Sequence, residues 1–319
     1  MGRDQSLQAP PAQQPTAQAL RPPASGLLQR LTTAVPESLY HQQDRPPEQT
    51  RLALQWLGTA GFRLLCQGHH LWFDPHLSRH SLSQLALGRI APDPLRIRAD
   101  VDRADAIAVG HSHFDHALDA PAIAKLHGSR VYGASDTLNY CRGAGLEESQ
   151  LFEIQGDGRV YAEGPFQLTG YRSEHSPFLA GKVPFPGRIA KPLVAPAPIS
   201  AWRVGQVLTL HAQCCGGSVH HVGSAALVEA ELRGVQADVV LACTIGRHAT
   251  PQFARRLVEC LRPKVLIPCH WDQFWRPIDA PVKQIPGNDL QGFLNEVAAV
   301  PGAPEVRVLP MRGWTTIAA

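Results

Sequence analysis

One seven-residue run narrows the architecture of this chain more than any other feature. Gly110-His111-Ser112-His113-Phe114-Asp115-His116 follows the compact apolar segment Ala104–Val109 and precedes Pro121–Leu126, which reads as a helix. In an extended loop, side chains two residues apart share a face, so His111 and His113 can converge on one point. Asp115 and His116 follow where the chain turns into the helix. Neutral imidazole is a borderline donor suited to zinc, and a carboxylate adds a harder oxygen ligand. A strand delivering such a loop into a helix calls for an α/β fold with the loop at the strand's end.

The flanking sequence supplies the rest of that fold. Leu52–Leu57 reads as a strand, Gly58-Thr59-Ala60-Gly61 as a turn, Phe62–Cys66 as a second strand and Leu71–Phe73 as a third, an antiparallel start. Asp119 is placed to cap the helix over Pro121–Leu126, with Pro121 tolerated in its first turn. Arg130–Tyr132 returns as a strand. Farther on, Gly205–Ala212 and Ser218–Val222 read as strands around a Cys215-Gly216-Gly217 turn. Ala225–Leu232 reads as a helix, Asp238–Ala242 as a strand, Pro251–Leu261 as a helix and Val265–Pro268 as a strand. Strands leading each half, with helices interleaved later, point to a mixed α/β sandwich. Ser176–Ala201 holds six prolines with little periodicity and reads as a long loop, either lidding a site or running over the surface.

Residues 1–50 differ, with eight prolines and nine glutamines and no sustained apolar period. They read as an N-terminal extension, disordered over Met1–Pro23 with a short docking helix over Leu27–Tyr40. The ordered domain is expected over residues 51–319. Net charge is only +3 and no Lys/Arg run occurs, so nucleic acid is not an expected partner. No apolar stretch is long enough to span a bilayer and no secretory signal is present. Seven cysteines, none in a CxxC pair, read as free thiols in a reducing compartment, and the cytoplasm is the default location. No Gly-x-Ser-x-Gly elbow supports a serine hydrolase.

HxHxDH after a strand resembles the signature of the metallo-β-lactamase superfamily, and the resemblance runs from about Arg51 to Met311. The Trp56-Leu57-Gly58-Thr59-Ala60-Gly61-Phe62 opening and Phe73-Asp74-Pro75 are similar to the branch holding the L-ascorbate-6-phosphate lactonase and the N-acyl-phosphatidylethanolamine phospholipase D. The resemblance implies a four-layer αβ/βα sandwich. It implies His175, after Tyr171-Arg172-Ser173-Glu174, as a third ligand with His111 and His113 at a first metal. It implies His270, after Val265–Cys269, as a partner of Asp115 and His116 at a second. Asp74 is implied as a support beside the site rather than a ligand.

The family's bridging aspartate falls at Ser224 in this chain, where a neutral hydroxyl supplies no charge to hold two cations together. One metal, a loosely held second metal, or a second metal with water in the carboxylate's place all remain open. The expected cofactor is Zn²⁺, with Mn²⁺ or Fe²⁺ as substitutes. Arg247 is read as either an anion contact or a solvated cation. One of His220 and His221 is a candidate substitute ligand, and His69, His70, His76 and His80 read as loop histidines near the site's mouth. The expected activity is hydrolysis of an ester, lactone or lipid-like phosphodiester, a small-molecule or lipid-like substrate, with Asp115 orienting the attacking water or accepting its proton. The competing readings are a non-catalytic metal- or ligand-binding relative and a nuclease of the same superfamily. Oligomeric state is not read from the sequence.

Overall fold

Fourteen strands make two facing sheets of seven, described by a computed structural model over residues 34–41, 52–178 and 181–317. The first half of the chain supplies β1 (Leu52–Trp56), β2 (Phe62–Cys66), β3 (His69–Phe73), β4 (Ala106–Val109), β5 (Arg130–Gly133) and β6 (Leu151–Glu153). The second half supplies β7 (Asp157–Glu163), β8 (Phe166–Ser173), β9 (Val207–Cys214), β10 (Gly217–Val222), β11 (Val239–Cys243), β12 (Val265–Cys269) and β13 (Glu305–Val306). The last strand, β14 (Trp314–Ile317), returns to the first sheet. The orders are β14-β1-β2-β3-β4-β5-β6 and β13-β12-β11-β10-β9-β8-β7.

Both sheets begin as antiparallel meanders and continue as parallel strands, from β3 to β6 in one and from β10 to β13 in the other. Their parallel strands β4, β11 and β12 are buried at every residue, as strands covered on both faces must be. Leu52, Leu54, Trp56, Phe62 and Leu64 pack between the sheets against Leu208, Leu210 and Val219. The helices α1 (Leu82–Leu87), α2 (Pro94–Asp100), α3 (Phe114–Ala117), α4 (Ala120–His127) and α5 (Ser135–Gly143) follow the first-half strands, and Leu85, Ile97, Leu118, Ile123 and Leu138 form a second apolar cluster with Trp72, Ile107 and Val131. The helices α6 (Phe253–Leu261) and α7 (Leu290–Ala298) pack on the other side; α6 buries Phe253, Ala254, Leu257, Val258 and Leu261, one face at helical spacing. The result is the αβ/βα sandwich.

Several expectations need correction. Ala225–Leu232 is irregular, not helical. Its carbonyls are taken by tertiary partners: Thr250 Oγ1 donates to Ala225 O (2.6 Å) and Arg256 to Leu227 O (3.4 Å). Asp119 does not cap α4; its Oδ2 accepts instead from the Leu77 and Ser78 N–H groups, at 2.6 and 2.8 Å. Of the docking helix expected over Leu27–Tyr40, residues 27–33 lie outside the described residues, and residues 34–41 carry a 3₁₀ turn at Glu37–Leu39. That segment bridges to the domain at Ala34–Lys283 and Tyr40–Val308. The expected disorder of Met1–Pro23 lies outside the described residues. Three cysteines are not isolated thiols: Cys66 Sγ lies in bonding contact with both Cys214 Sγ and Cys215 Sγ. Cys66 ends β2 and Cys214 ends β9, so the facing of the sheets brings them together. No helix among the described residues is long and apolar enough to cross a membrane.

Candidate metal centre

Every expected donor sits just past the end of a strand. Gly110–His116 follow β4, His175 follows β8, Ser224 follows β10 and His270 follows β12. Within the second sheet β8, β10 and β12 run in the same direction, two antiparallel pairings relating β8 to β10 and parallel ones β10 to β12, so their C-terminal loops open at one edge. His111, His113 and His175 bring one ring nitrogen each to a common point, and Asp115, His116 and His270 do the same beside them, the donor atoms of each trio lying within 4.8 Å of one another. The two trios adjoin, since the His111 and His116 ring centroids are 3.8 Å apart.

Hydrogen bonds on the outer nitrogens set which nitrogen faces inward. His113 Nε2 donates to Pro184 O (2.9 Å) and His175 Nδ1 to Ser176 O (2.8 Å). A carbonyl only accepts, so each of these outer nitrogens carries the proton and each inner one presents a lone pair. His116 Nδ1 donates to Asp74 Oδ2 (2.7 Å), leaving Nε2 inward in the same way. His111 Nε2 and His113 Nδ1 are 3.1 Å apart, close to the roughly 3.3 Å tetrahedral edge that zinc–nitrogen bonds of about 2.0–2.1 Å produce. His270 Nε2 and Asp115 Oδ2 stand at 3.2 Å.

Electrostatics match a cation site. Burial, reinforced by the neighbouring imidazoles, holds the His111 pKa well below its ordinary value. Burial pushes His113 down to about 3 and His175 down to about 4. These rings are neutral at physiological pH, as ligands must be. Burial alone would raise the Asp115 pKa, but His116, His270 and His113 outweigh it and keep the carboxylate ionised. Burial would lower the His116 pKa, but Asp74 and Asp115 raise it on balance.

Asp74 is fully buried, and its two oxygens divide their work: Oδ1 accepts from Gly110 N–H (2.7 Å) and Oδ2 from His116. One carboxylate therefore fixes both the start of the histidine loop and one ring within it. Gly223 permits the arrangement, since a Cβ there would lie 2.9 Å from Asp74 Oδ2. On the other side, His270 N–H donates to Thr59 O (2.8 Å), Thr59 N–H to Asp272 Oδ1 (2.7 Å), and Arg79 pairs with Asp272 Oδ2 (2.9 Å). Arg79 and Asp272 were not singled out from the sequence; the only hint was Asp272 two residues beyond His270. Asp74 and His270 have φ of 42° and 56°, left-handed values that cost non-glycine residues energy and cluster at functional sites.

A family model described as the beta-lactamase superfamily domain matches residues 69–271, well over half of the chain. The chain belongs to the metallo-β-lactamase superfamily. Among its relatives, a UPF0173 metal-dependent hydrolase of Polynucleobacter asymbioticus is 25% identical, covering 84% of this chain and 87% of its own. Another from Myxococcus xanthus is 30% identical, covering 69% of this chain and 70% of its own. The solved structure of Igni18, a metallo hydrolase from Ignicoccus hospitalis, shares the fold with a TM-score of 0.55 at 18% identity, covering 85% of this chain and all of that one.

Ser224, the position where the resemblance implies a bridging aspartate, is a neutral hydroxyl in this chain. It is buried and its Oγ accepts from Ser176 N–H (3.0 Å), which ties the end of β10 to the loop after His175. Neither neighbouring histidine replaces the carboxylate. His221 Nε2 donates to Ala60 O (2.8 Å), and His220 pairs with His211 within the second sheet, Nδ1 to Nδ1 3.4 Å. Arg247 is neither an anion contact nor solvated: it is buried, and its guanidinium donates to the Asn288 and Asp289 carbonyls and to Glu296. His69 and His70 are not mouth residues but lie in β3, bonded to Glu163 and Arg63; His76 is buried against Phe114 and Phe274, and His80 bonds Ala91 O.

Proposed function

We propose that this chain is a zinc-dependent hydrolase of carboxylic esters or lactones bearing a bulky apolar group. His111, His113 and His175 would hold the first metal, and Asp115, His116 and His270 a more weakly held second one. The convergence of lone pairs whose outward protons are fixed by Pro184 O, Ser176 O and Asp74 supports the metal assignment. Zinc suits the all-imidazole trio, and manganese or iron suits the carboxylate-bearing one. A bound cation of this kind supplies Lewis acidity, lowering a water's pKa to about 7 and polarising a carbonyl.

The observation that carries the substrate class is the cavity over these donors. It holds about 450 Å³, with His113, Asp115, His175, Ser224 and His270 on its floor and Phe114, Phe178, Phe185, Phe274, Trp275 and Leu85 among its walls. Among the described residues, no lysine or arginine lines it. A phosphodiester would bring a permanent negative charge into apolar walls, whereas an ester or lactone brings none until its transition state. That favours a neutral acyl substrate, in keeping with the resemblance to the lactonase branch. The Pro-rich loop contributes Phe178, Pro184 and Phe185, so it covers the floor and excludes water there. Ionised Asp115 can orient the attacking water and take up its proton.

The test is metal analysis of purified protein and of His113→Ala, alongside hydrolysis of an aryl ester series, γ-lactones and an aryl phosphodiester. The expected result is zinc and lactone or ester turnover in the wild type, both lost in the variant. Full turnover by metal-free protein would overturn the reading, and phosphodiester turnover exceeding that of every ester and lactone would overturn the substrate class.

A further inference from the structure

We propose that the rim of the cavity is a docking surface for an anionic lipid bilayer, built by α1 and its link to α2 on one side and by the Pro-rich loop on the other. Leu82 and Leu85 of α1 and Phe178, Phe185 and Ile199 of the loop all line the cavity. Leu82 and Phe178 are also exposed, which puts them at its opening. Leu87, the last residue of α1, is 91% exposed, and Leu95 and Val194 are exposed as well. Five of the seven exposed large apolar side chains among the described residues therefore belong to these two segments, Leu126 and Val160 being the others. Single exposed apolar side chains need no explanation, but a concentration of them at the mouth of an apolar cavity marks a contact surface.

The two segments are joined into one surface. Ile90 and Ala197 exchange backbone hydrogen bonds in both directions, at 2.8 and 3.1 Å, and the Arg89 guanidinium donates to Pro196 O (2.7 Å). The helix α1 is short, but its start is fixed by the capping box of Ser81 and Gln84 and it is anchored by buried Leu85. Leu82 and Leu87 are thus held out from an ordered turn.

Charge selects the occupant. Residues 181–203 carry Lys182, Arg188, Lys191 and Arg203 and no Asp or Glu, while residues 81–99 carry Arg89, Arg96 and Arg98 against Asp93. The first segment is net +4 and the second net +2 on a chain whose total is only +3, so the remainder is net negative. Arg96 pairs with Asp279 and Arg188 with Asp136, but among the described residues no carboxylate pairs with Arg89, Arg98, Lys182, Lys191 or Arg203. Protruding apolar tips among basic groups are the makings of an interfacial anchor, the tips entering the headgroup boundary and the cations meeting anionic lipid. A soluble polyanion would use the cations and leave the leucines idle. Docking in this orientation turns the cavity toward the phase in which the bulky apolar group proposed for the substrate dissolves, although the docking itself rests on the rim and not on that reading.

The test is flotation of the full chain with phosphatidylcholine vesicles, with and without phosphatidylserine, at low and high salt. Binding is read without turnover, so its outcome is separate from that of the hydrolase assays. Wild type is expected to float with the phosphatidylserine vesicles at low salt, and less with pure phosphatidylcholine or at high salt. Lys182→Gln/Lys191→Gln should weaken binding about 30-fold, at about fivefold per cation. Leu87→Gln/Val194→Gln should weaken it about tenfold with the salt dependence intact. Leu126→Gln/Val160→Gln, which alters exposed apolar side chains elsewhere, should match wild type. Wild type that stays unbound to phosphatidylserine vesicles at low salt would overturn the proposal. So would wild-type binding by Leu87→Gln/Val194→Gln, since the contact would then be one that any polyanion could make.

Discussion

Replacing Asp74 by Asn tests how the metal centre is organised, because it keeps the shape and removes one of two matched acceptors. Asp74 Oδ1 takes the Gly110 N–H and Oδ2 the His116 Nδ1–H, both at 2.7 Å and both out of water. An amide offers one acceptor and one donor. With the amide oxygen toward His116, the NH₂ group meets the Gly110 N–H; with it reversed, His116 must move its proton to Nε2 and lose its inward lone pair. Either orientation leaves a buried donor unpaired, at a cost of about 1–3 kcal/mol to the metal-free fold. Loss of a ligand's outer partner typically weakens metal binding about 10–100-fold, or about 1.4–2.8 kcal/mol. The weakening should fall on the trio containing His116 and spare His111, His113 and His175. Chelator competition reading each bound equivalent, with urea denaturation of metal-free protein, measures both quantities. Unchanged affinity at the His116 trio, or equal loss at both trios in a folded variant, would refute this account.

Other consequences concern charge and packing. Ser224→Asp supplies a carboxylate at that cavity position and should tighten the second metal equivalent; the same chelator competition giving the wild-type affinity for that equivalent would count against the role proposed for the position. Arg247→Ala should lower stability by about 3 kcal/mol, because charge-assisted bonds to Asn288, Asp289 and Glu296 vanish, while metal content stays unchanged. A variant of normal urea midpoint that fails to turn over substrate would contradict the structural role. Burial holds the His211 pKa down to about 4, against about 6.5 in the unfolded chain. The folded state keeps this ring neutral, so its contribution is complete above about pH 6.5 and is lost as pH falls toward about 4. That amounts to about 2 kcal/mol at pH 5. His211→Asn should flatten the acid decline of the urea midpoint, and parallel declines in both proteins would rule this contribution out.

Much of the fold was legible because it is written locally. The alternating and fully apolar runs of β1, β2, β4, β11 and β12 need only their own residues to be recognised, and the glycine turns that join them have short-range causes. The helix expected over Ala225–Leu232 failed because its apolar residues are buried without a repeating face, and Thr250 and Arg256 take carbonyls that a helix would have used. Asp119 failed as a cap for a related reason: two N–H groups some forty residues earlier offered its carboxylate better partners.

The candidate metal centre divides along the same line. His111, His113, Asp115 and His116 are close in sequence, so the chain alone places them together, whereas His175 and His270 were marked only by the family resemblance. What the sequence could not decide is which nitrogen each ring turns inward, because that depends on Pro184 O, Ser176 O and Asp74, groups brought up by packing. Nor could it show that Arg247 is locked among carbonyls, or that Cys66 meets Cys214 and Cys215 across two sheets. Residue type and local spacing determine what a segment can do; the partners that use up or leave free each lone pair and each charge come from elsewhere in the chain, and only the closed sandwich selects them.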